Sequence, residues 1–378
     1  MIINIQRRLG TILILLKLIK LLLRLVYSIL KLLPTRNKVV FLSRQTNEPS
    51  IDYRLIAQEL RIQSPKVEIV MLCKRIEKSP KDLSEFGIIL IKSLYHLATS
   101  KVCILDTYWP AVSLLSHKKS LKIIQIWHAM GKIKQSGYKT VNREGGRGKK
   151  FSEAMDMHKN YDLIVAGAEA WNPYYCESFN VSEDILLNVG LPRIDYLIHD
   201  REKIVASILK VYPNLNQKPI ILYAPTFRRT GNEGWDKLLH EINLDTYNLI
   251  IKSHPNQPLH YTSSAVYEVK EFTALECLAI SDYLITDYSA IAVEAAAISV
   301  KTYYYLYDYE KYRTKNGLNI DLFNEMPGCV FENAHELMET LNKGSYNESA
   351  LASYQVKYLP IPLGESTKQI VATIKSYL

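Results

Sequence analysis

Short, continuous apolar runs rich in β-branched residues recur along the first half of this chain. They are residues 38–43, VEIVMLC (67–73), GIILIKS (87–93), KVCILDT (101–107), KIIQIWH (122–128), YDLIVAGA (161–168) and ILLNVG (185–190). Polar and apolar positions do not alternate in them, so they predict strands buried on both faces, paired in parallel and covered by the helix-like segments between them. A helical stretch from about Asp200 to Val211, followed by YPNLNQKP, closes this half. The scheme then repeats with PIILYAPT (219–226), YNLIIKSHP (247–255), DYLITDYS (282–289), KTYYYLY (301–307) and CVF (329–331), with a helical pattern over Ala290 to Ile298. Two doubly wound, Rossmann-like halves facing one another across a cleft make a GT-B architecture.

The segment before the first strand has a different pattern. From Leu9 to Leu33 it is rich in Leu and Ile, but its longest charge-free stretch, Leu9 to Leu16, falls far short of the ~20 residues of a membrane span. Lys17, Lys20, Arg24 and Lys31, with Ser28 filling the gap, follow one another at spacings of three and four, and so fall on one stripe of a helix. This predicts an amphipathic helix lying in a membrane interface, its apolar face in the lipid and its cations at anionic headgroups. A helix packed on the protein body is the alternative. A secretory or twin-arginine signal starting at Arg7-Arg8 lacks an A-x-A cleavage site, and a spanning anchor would carry Lys17, Lys20 and Arg24 into hydrocarbon. Pro34 ends the helix. The expected division is a membrane-binding helix over 1–35, one Rossmann-like domain over 36–205 and a second over 206–378, with the last helical stretch, Thr367 to Leu378, crossing back onto the first half.

With 378 residues, 48% of them hydrophobic and 22% charged, the chain is a folded protein too long for a single core. Its net charge of +9 is uneven: eight basic and no acidic side chains lie in residues 1 to 38, which leaves the rest nearly neutral. A neutral body argues against nucleic acid as a partner. The five cysteines include no C-x-x-C pair and no zinc-spaced cluster, which fits a reducing, cytosolic compartment.

Candidate chemistry gathers at the ends of the runs. His128, in Trp127-His128-Ala129-Met130-Gly131-Lys132-Ile133-Lys134, closes a strand with Lys132 and Lys134 beside it, which suits a general base at an anionic acceptor or, equally, a structural cap. His254, in Lys252-Ser253-His254-Pro255, holds the matching place in the second half, where it would hydrogen-bond a phosphate oxygen. Thr286-Asp287-Tyr288-Ser289 leads into a helix, so Thr286 and Ser289 are natural diphosphate ligands or simple caps, and Glu294 beyond them would reach a ribose. Arg228, after Tyr223-Ala224-Pro225-Thr226-Phe227, and Arg193, in Gly190-Leu191-Pro192-Arg193-Ile194-Asp195, would point into the cleft as forked phosphate contacts or make ordinary ion pairs. The Gly-rich stretch KTVNREGGRGKK (139–150) lacks the G-x-x-x-x-G-K-[ST] pattern and reads as a solvated loop or a mobile basic lid.

Taken in order, WHAMGKIKQSGY, GLPRID, YAPTFRR, IKSHP, ITDYSA and LYDYEKYRTKNGLNIDLFNEMPG resemble the CDP-glycerol glycerophosphotransferase family of teichoic-acid synthesis, over roughly residues 100 to 370. The chain departs from that family's pattern at Ala290, where a second serine is usual, and at Ala129-Met130-Gly131, where Gly-Thr-Pro is more frequent. The resemblance implies a GT-B fold, CDP-glycerol or CDP-ribitol as donor and a polyprenyl-diphosphate-linked saccharide as acceptor. No cofactor is expected, and no D-x-D pair or carboxylate cluster in the sequence suggests a tightly held metal. The resemblance also implies an enzyme on the cytoplasmic face of the membrane that releases CMP, and copies that associate are compatible with it. It assigns the first domain to the acceptor, with Lys132, Lys134 and Arg193 as contacts and His128 as the base. The second domain goes to the donor, with His254, Arg228, Thr286, Asp287, Ser289, Glu294 and Lys252 around it. A nucleotide-sugar transferase on the same fold, or a silent nucleotide-binding partner, are the rival readings.

Overall fold

The computed structural model describes residues 17–76, 79–144, 146, 148–226, 228, 233–253 and 266–378. Among these, six parallel strands form a first sheet: β1 (Lys38–Ser43), β2 (Glu68–Cys73), β3 (Val102–Leu105), β4 (Lys122–Gln125), β5 (Leu163–Ala166) and β6 (Leu186–Asn188), in the order β2-β1-β3-β4-β5-β6. A second sheet holds β7 (Ile220–Tyr223), β8 (Asn248–Ile251), β9 (Val266–Tyr267), β10 (Tyr283–Thr286), β11 (Lys301–Tyr305) and β12 (Val330–Phe331), in the order β12-β11-β10-β7-β8-β9, again parallel. Every residue of β1, β3, β7 and β8 is buried, the burial that continuous apolar runs call for in a sheet covered on both faces.

One run departs from its expected form. GIILIKS lies inside a helix, Pro80–Thr99, rather than in a strand. A short, mostly apolar run reads alike in either state. The helix is decided by its start, where the Ser79 side chain accepts from the Asp82 amide ahead of Pro80, and by its continuation to Leu94, Leu97 and Ala98, which are buried, while Ile88 and Ile91 face out.

The halves share a packed boundary. One apolar cluster joins the first sheet to Tyr288, Val293 and Tyr304 of the second half and to Tyr354 and Ile370 beyond it. The helix Ser366–Lys375 buries Ile370, Val371 and Ile374 against the helices Ile51–Gln63 and Pro192–His199 of the first half. Asp195 fastens its start by accepting from the backbone N–H groups of Ser366 and Thr367.

Residues 17–30 are helical. Three cations of the basic stripe reach the body: Lys20 pairs with Asp156, Arg24 Nε donates to the Leu114 carbonyl at 3.4 Å, and Lys31 Nζ, just past the helix, donates to the Ser116 carbonyl at 3.0 Å. Tyr27 is buried between them, its hydroxyl 2.7 Å from His117 Nδ1. Lys17 remains exposed. Cations find carbonyls and a carboxylate on this shelf, which leaves Leu18, Leu21, Leu22, Leu25 and Ile29 on the outside. No helix among the described residues is long and apolar enough to cross a membrane.

Candidate active site

Strand order places the site. The first sheet reverses direction between β1 and β3, the second between β7 and β10, and ligands of open α/β sheets sit beyond the carboxyl ends of the strands at such points. Ser43 and Asp106 stand at the first reversal, Thr226 and Asp287 at the second. Between the two halves lies a cavity of about 750 Å³, lined on one side by His128, Lys132 and Lys134 and on the other by Tyr288, Ser289 and Glu294.

His128 follows a strained turn. β4 stops at Gln125, three residues short of the expected end, and Trp127 adopts a left-handed φ of 59°, with its N–H held by Gln125 Oε1 at 2.9 Å. For a bulky residue that conformation is costly and marks sites where geometry is over-determined. It turns the His128 ring against the Trp127 indole, centroids 4.1 Å apart, with Nδ1 at 2.9 Å from the Asp106 carbonyl oxygen. A carbonyl only accepts, so Nδ1 carries the proton and Nε2 keeps its lone pair. The Gln45 side-chain amide lies 3.1 Å from the same Nδ1, and with the proton there it is the amide oxygen, reached by a flip of the side chain, that fits beside it. Burial pushes the imidazole down to about 4, helped by Lys132 and Arg193, so at neutral pH it is an unprotonated base. Asp106 itself is pushed up to about 7 by burial, opposed by the Ser43 hydroxyl that donates to Oδ2 at 2.6 Å.

Lys132 is nearly buried in an aromatic cage. Its Nζ lies 4.3 Å from the ring centres of Trp127 and Phe179 and 4.8 Å from that of Tyr175, and donates to Ser136 Oγ at 3.2 Å. Burial lowers its pKa to about 7. Lys134 is also lowered by burial, with the Asp287 carboxylate opposing, so its charge is felt on the second half's side of the cavity. Arg193 does not present a free fork to the cleft. Its guanidinium is shared between Asp52, with Nη2 to Oδ2 at 2.5 Å, and Glu294, with Nη1 to Oε1 at 3.0 Å, and Nη1 also donates to the His128 carbonyl at 3.2 Å. Glu294 is correspondingly committed to this ion pair, which ties the two halves together, in place of an open ribose contact.

On the second half, Arg228 is gripped by two carboxylates, Asp308 through Nε at 2.7 Å and Asp287 through Nη2 at 2.9 Å, and lies 4.6 Å over the Tyr312 ring. Tyr312 stacks on Tyr288, and both rings line the cavity. Asp287 also accepts from the Thr226 N–H and hydroxyl, so it braces the loop after β7. Ser289 faces the cavity. Thr286 does not: it is fully buried in β10, its hydroxyl donating to the Ala224 carbonyl at 2.7 Å. Lys252 is likewise turned away, its Nζ donating to the carbonyls of Val269 at 2.9 Å and Phe272 at 2.5 Å. His254 lies outside the described residues. The Thr286 geometry carries a simple expectation. Thr286→Val should cost about 1 kcal/mol in a urea titration and leave the donor KM within twofold of wild type in steady-state kinetics.

The segment expected to be a loop or lid is fastened at several points. Lys139 pairs with Glu177, Lys315 with Glu144, and Arg143 Nη1 donates to the Thr314 carbonyl at 3.4 Å. Asp52, Asp106 and Asp308 are site residues that pattern reasoning did not reach. Asp106 directly follows the last residue of β3, near the end of KVCILDT, so a strand-end signal was available for it as it was for His128. Asp52 meets Arg193 across 141 positions, and nothing local announces that contact.

The chain matches the family described as CDP-Glycerol:Poly(glycerophosphate) glycerophosphotransferase over residues 25–376. Among curated proteins it is similar to the teichoic acid ribitol-phosphate primase of Bacillus spizizenii, 29% identical over 363 residues covering 92% of this chain and 93% of the relative. It is 28% identical over 367 residues to the teichoic acid poly(ribitol-phosphate) polymerase of the same organism, where it covers 92% of this chain but spans only 58% of that protein's length. The structure of the wall teichoic acid polymerase TagF superposes with a TM-score of 0.74 at 17% identity, covering 100% of this chain and 98% of that one, which shows a shared fold.

Proposed function

We infer the reaction from membership: this chain belongs to the CDP-glycerol:poly(glycerophosphate) glycerophosphotransferase family, and it is a transferase that moves a polyol phosphate from a CDP-activated donor to a hydroxyl. The acceptor is a membrane lipid-linked saccharide or growing polymer, and the product side releases CMP. The single observation that carries the mechanism is the His128 ring, neutral, with Nδ1–H spent on the Asp106 carbonyl and Nε2 left to accept. In the step, the acceptor hydroxyl oxygen forms a bond to the distal phosphorus of the donor as His128 Nε2 takes its proton. The bridging P–O bond breaks, and CMP carries away the electron pair. Ser289 faces the diphosphate. Asp287 and Arg228 hold the loops after β7 and β10 beside it, and Lys132 and Lys134 meet the acceptor.

The acceptor's chemistry puts the enzyme at the membrane. The exposed Leu22, Leu25 and Ile29, at 61%, 59% and 69% exposure, are the lipid-facing side of the helix over 17–30. Because Lys20 is paired with Asp156 and Arg24 and Lys31 are engaged by backbone carbonyls, vesicle binding should depend on apolar area more than on charge. In a flotation assay, binding to anionic vesicles should weaken less than about threefold between 50 and 300 mM salt, and Leu22→Ser/Leu25→Ser/Ile29→Ser should abolish it. Steep salt dependence with no effect of the triple variant would instead put exposed cations at the surface. The reaction itself is tested by CMP release from CDP-glycerol and CDP-ribitol, with a short-tailed polyprenyl-diphosphate disaccharide in micelles and UDP-sugars as controls. UDP release from UDP-sugars, with no CMP from either CDP-polyol, would replace the polyol-phosphate reading with a glycosyl one.

A further inference from the structure

The turn from His128 to Gln135 belongs to the first half by sequence, yet the second half holds its backbone. Residues 317–319, which follow the helix Tyr309–Asn316, run antiparallel beside it, with a bridge between Lys134 and Leu318. Gln135 N donates to the Gly317 carbonyl at 3.1 Å, and Asn319 N donates to the Ile133 carbonyl at 2.9 Å. The Asn319 side chain completes the clamp: Nδ2 donates to the carbonyls of Lys132 at 2.7 Å and Lys134 at 3.2 Å. Three successive carbonyls, 132 to 134, are therefore taken by one residue of the other half. Gly317 permits the approach. Its φ is +79°, and a Cβ there would stand 2.2 Å from Gln135 Oε1. At the other end of the turn, Arg193 Nη1 bonds the His128 carbonyl and Glu294 at once, and a Cβ on Gly131 would stand 2.6 Å from Val293 Cγ2.

We propose that Asn319 is a positioning residue for the acceptor side of the site: donor-half residues 317–319 shape the turn that carries His128, Lys132 and Lys134, so the acceptor subsite is complete only while the two halves are held together. This rests on the functional reading above. Backbone polar groups left unpaired in a buried turn are costly, so a turn whose carbonyls are satisfied from across the cleft loses its form when that partner withdraws. Asn319 touches neither reactant in this account. It acts through the turn.

Two measurements on the full chain test the proposal. In steady-state CMP release, Asn319→Ala should raise the acceptor KM tenfold or more and leave the donor KM within twofold. Gly317→Ala, which opens the same contact from a different position, should reproduce that split. In hydrogen exchange followed by mass spectrometry, the peptide covering 128–137 should exchange at least tenfold faster in both variants, while β7 and β10 keep wild-type protection. Asn319→Ser is the milder variant if either substitution prevents folding, and it should show the same split at smaller amplitude. Unchanged exchange in the 128–137 peptide would overturn the clamp. Faster exchange with unaltered acceptor kinetics would overturn the link to the acceptor. A parallel rise of both KM values would reduce Asn319 to a general structural role. If the wild type releases no CMP from either donor, the functional reading fails and the acceptor claim with it, while the exchange result still decides whether Asn319 holds the turn.

Discussion

His128→Ala should lower acceptor-dependent CMP release by about 10²- to 10⁴-fold, the range a positioned general base supplies, with CDP-polyol binding retained in a calorimetric titration. The pH profile sharpens this result. Burial holds the His128 imidazole at about 4, below its ordinary value, so the base form is present above that pH and the acid limb of kcat/KM should sit near 4 rather than near 6.5. Lys132 works in the opposite sense: it is a cation below about 7 and neutral above. If its ammonium meets the acceptor, kcat/KM falls as pH rises through 7, and Lys132→Arg moves that alkaline limb beyond 10. An acid limb at 6.5 in the free enzyme would mean that the ring is solvated in a way the Asp106 contact does not allow. The same shift links His128 to stability. The unfolded chain binds a proton between 6.5 and 4 that the folded one does not, so this residue's contribution is complete above 6.5 and declines as the pH falls toward 4.

Arg228→Ala has the second large effect. It leaves Asp287 and Asp308, whose side chains are 4% and 14% exposed, facing one another without the guanidinium between them. Breaking a buried pair from one side costs about 3–5 kcal/mol, to be read as a lower urea midpoint at unchanged slope. Asp287 also holds Thr226 in place, so the loops after β7 and β10 should both loosen, and the donor KM should rise more than tenfold. Arg228→Lys restores the charge without the fork that reaches two carboxylates at once, and should recover less than half of the lost stability. Full recovery by lysine would show that charge alone, not its two-sided geometry, organises this side of the cleft.

How much of this was legible in the residues can be judged element by element. β1, β3, β7 and β8 were legible because a strand buried on both faces leaves an unbroken apolar run. GIILIKS was not, since a helix half-covered by the sheet leaves the same run. The two-residue strand β9 is too short to leave a pattern. At the site, the strand-end position of His128 could be read from KIIQIWH. The commitments of Arg193, Arg228, Thr286 and Lys252 could not, because an arginine or a hydroxyl at a strand end looks the same whether it faces a ligand or a carboxylate brought there by another element. The stripe of Lys20, Arg24 and Lys31 was visible, but its direction depends on carbonyls at 114 and 116 and a carboxylate at 156, which are far away in sequence.

The helix Ser366–Lys375 bears on how such a chain is made. The helices Ile51–Gln63 and Pro192–His199 of the first half lack their cover until residues 366–375 have been synthesised, after the whole of the second half. The first half therefore completes its packing only after the second has been made, whatever it has folded before then. Until that point its nascent form exposes the apolar seam that residues 366–375 go on to cover.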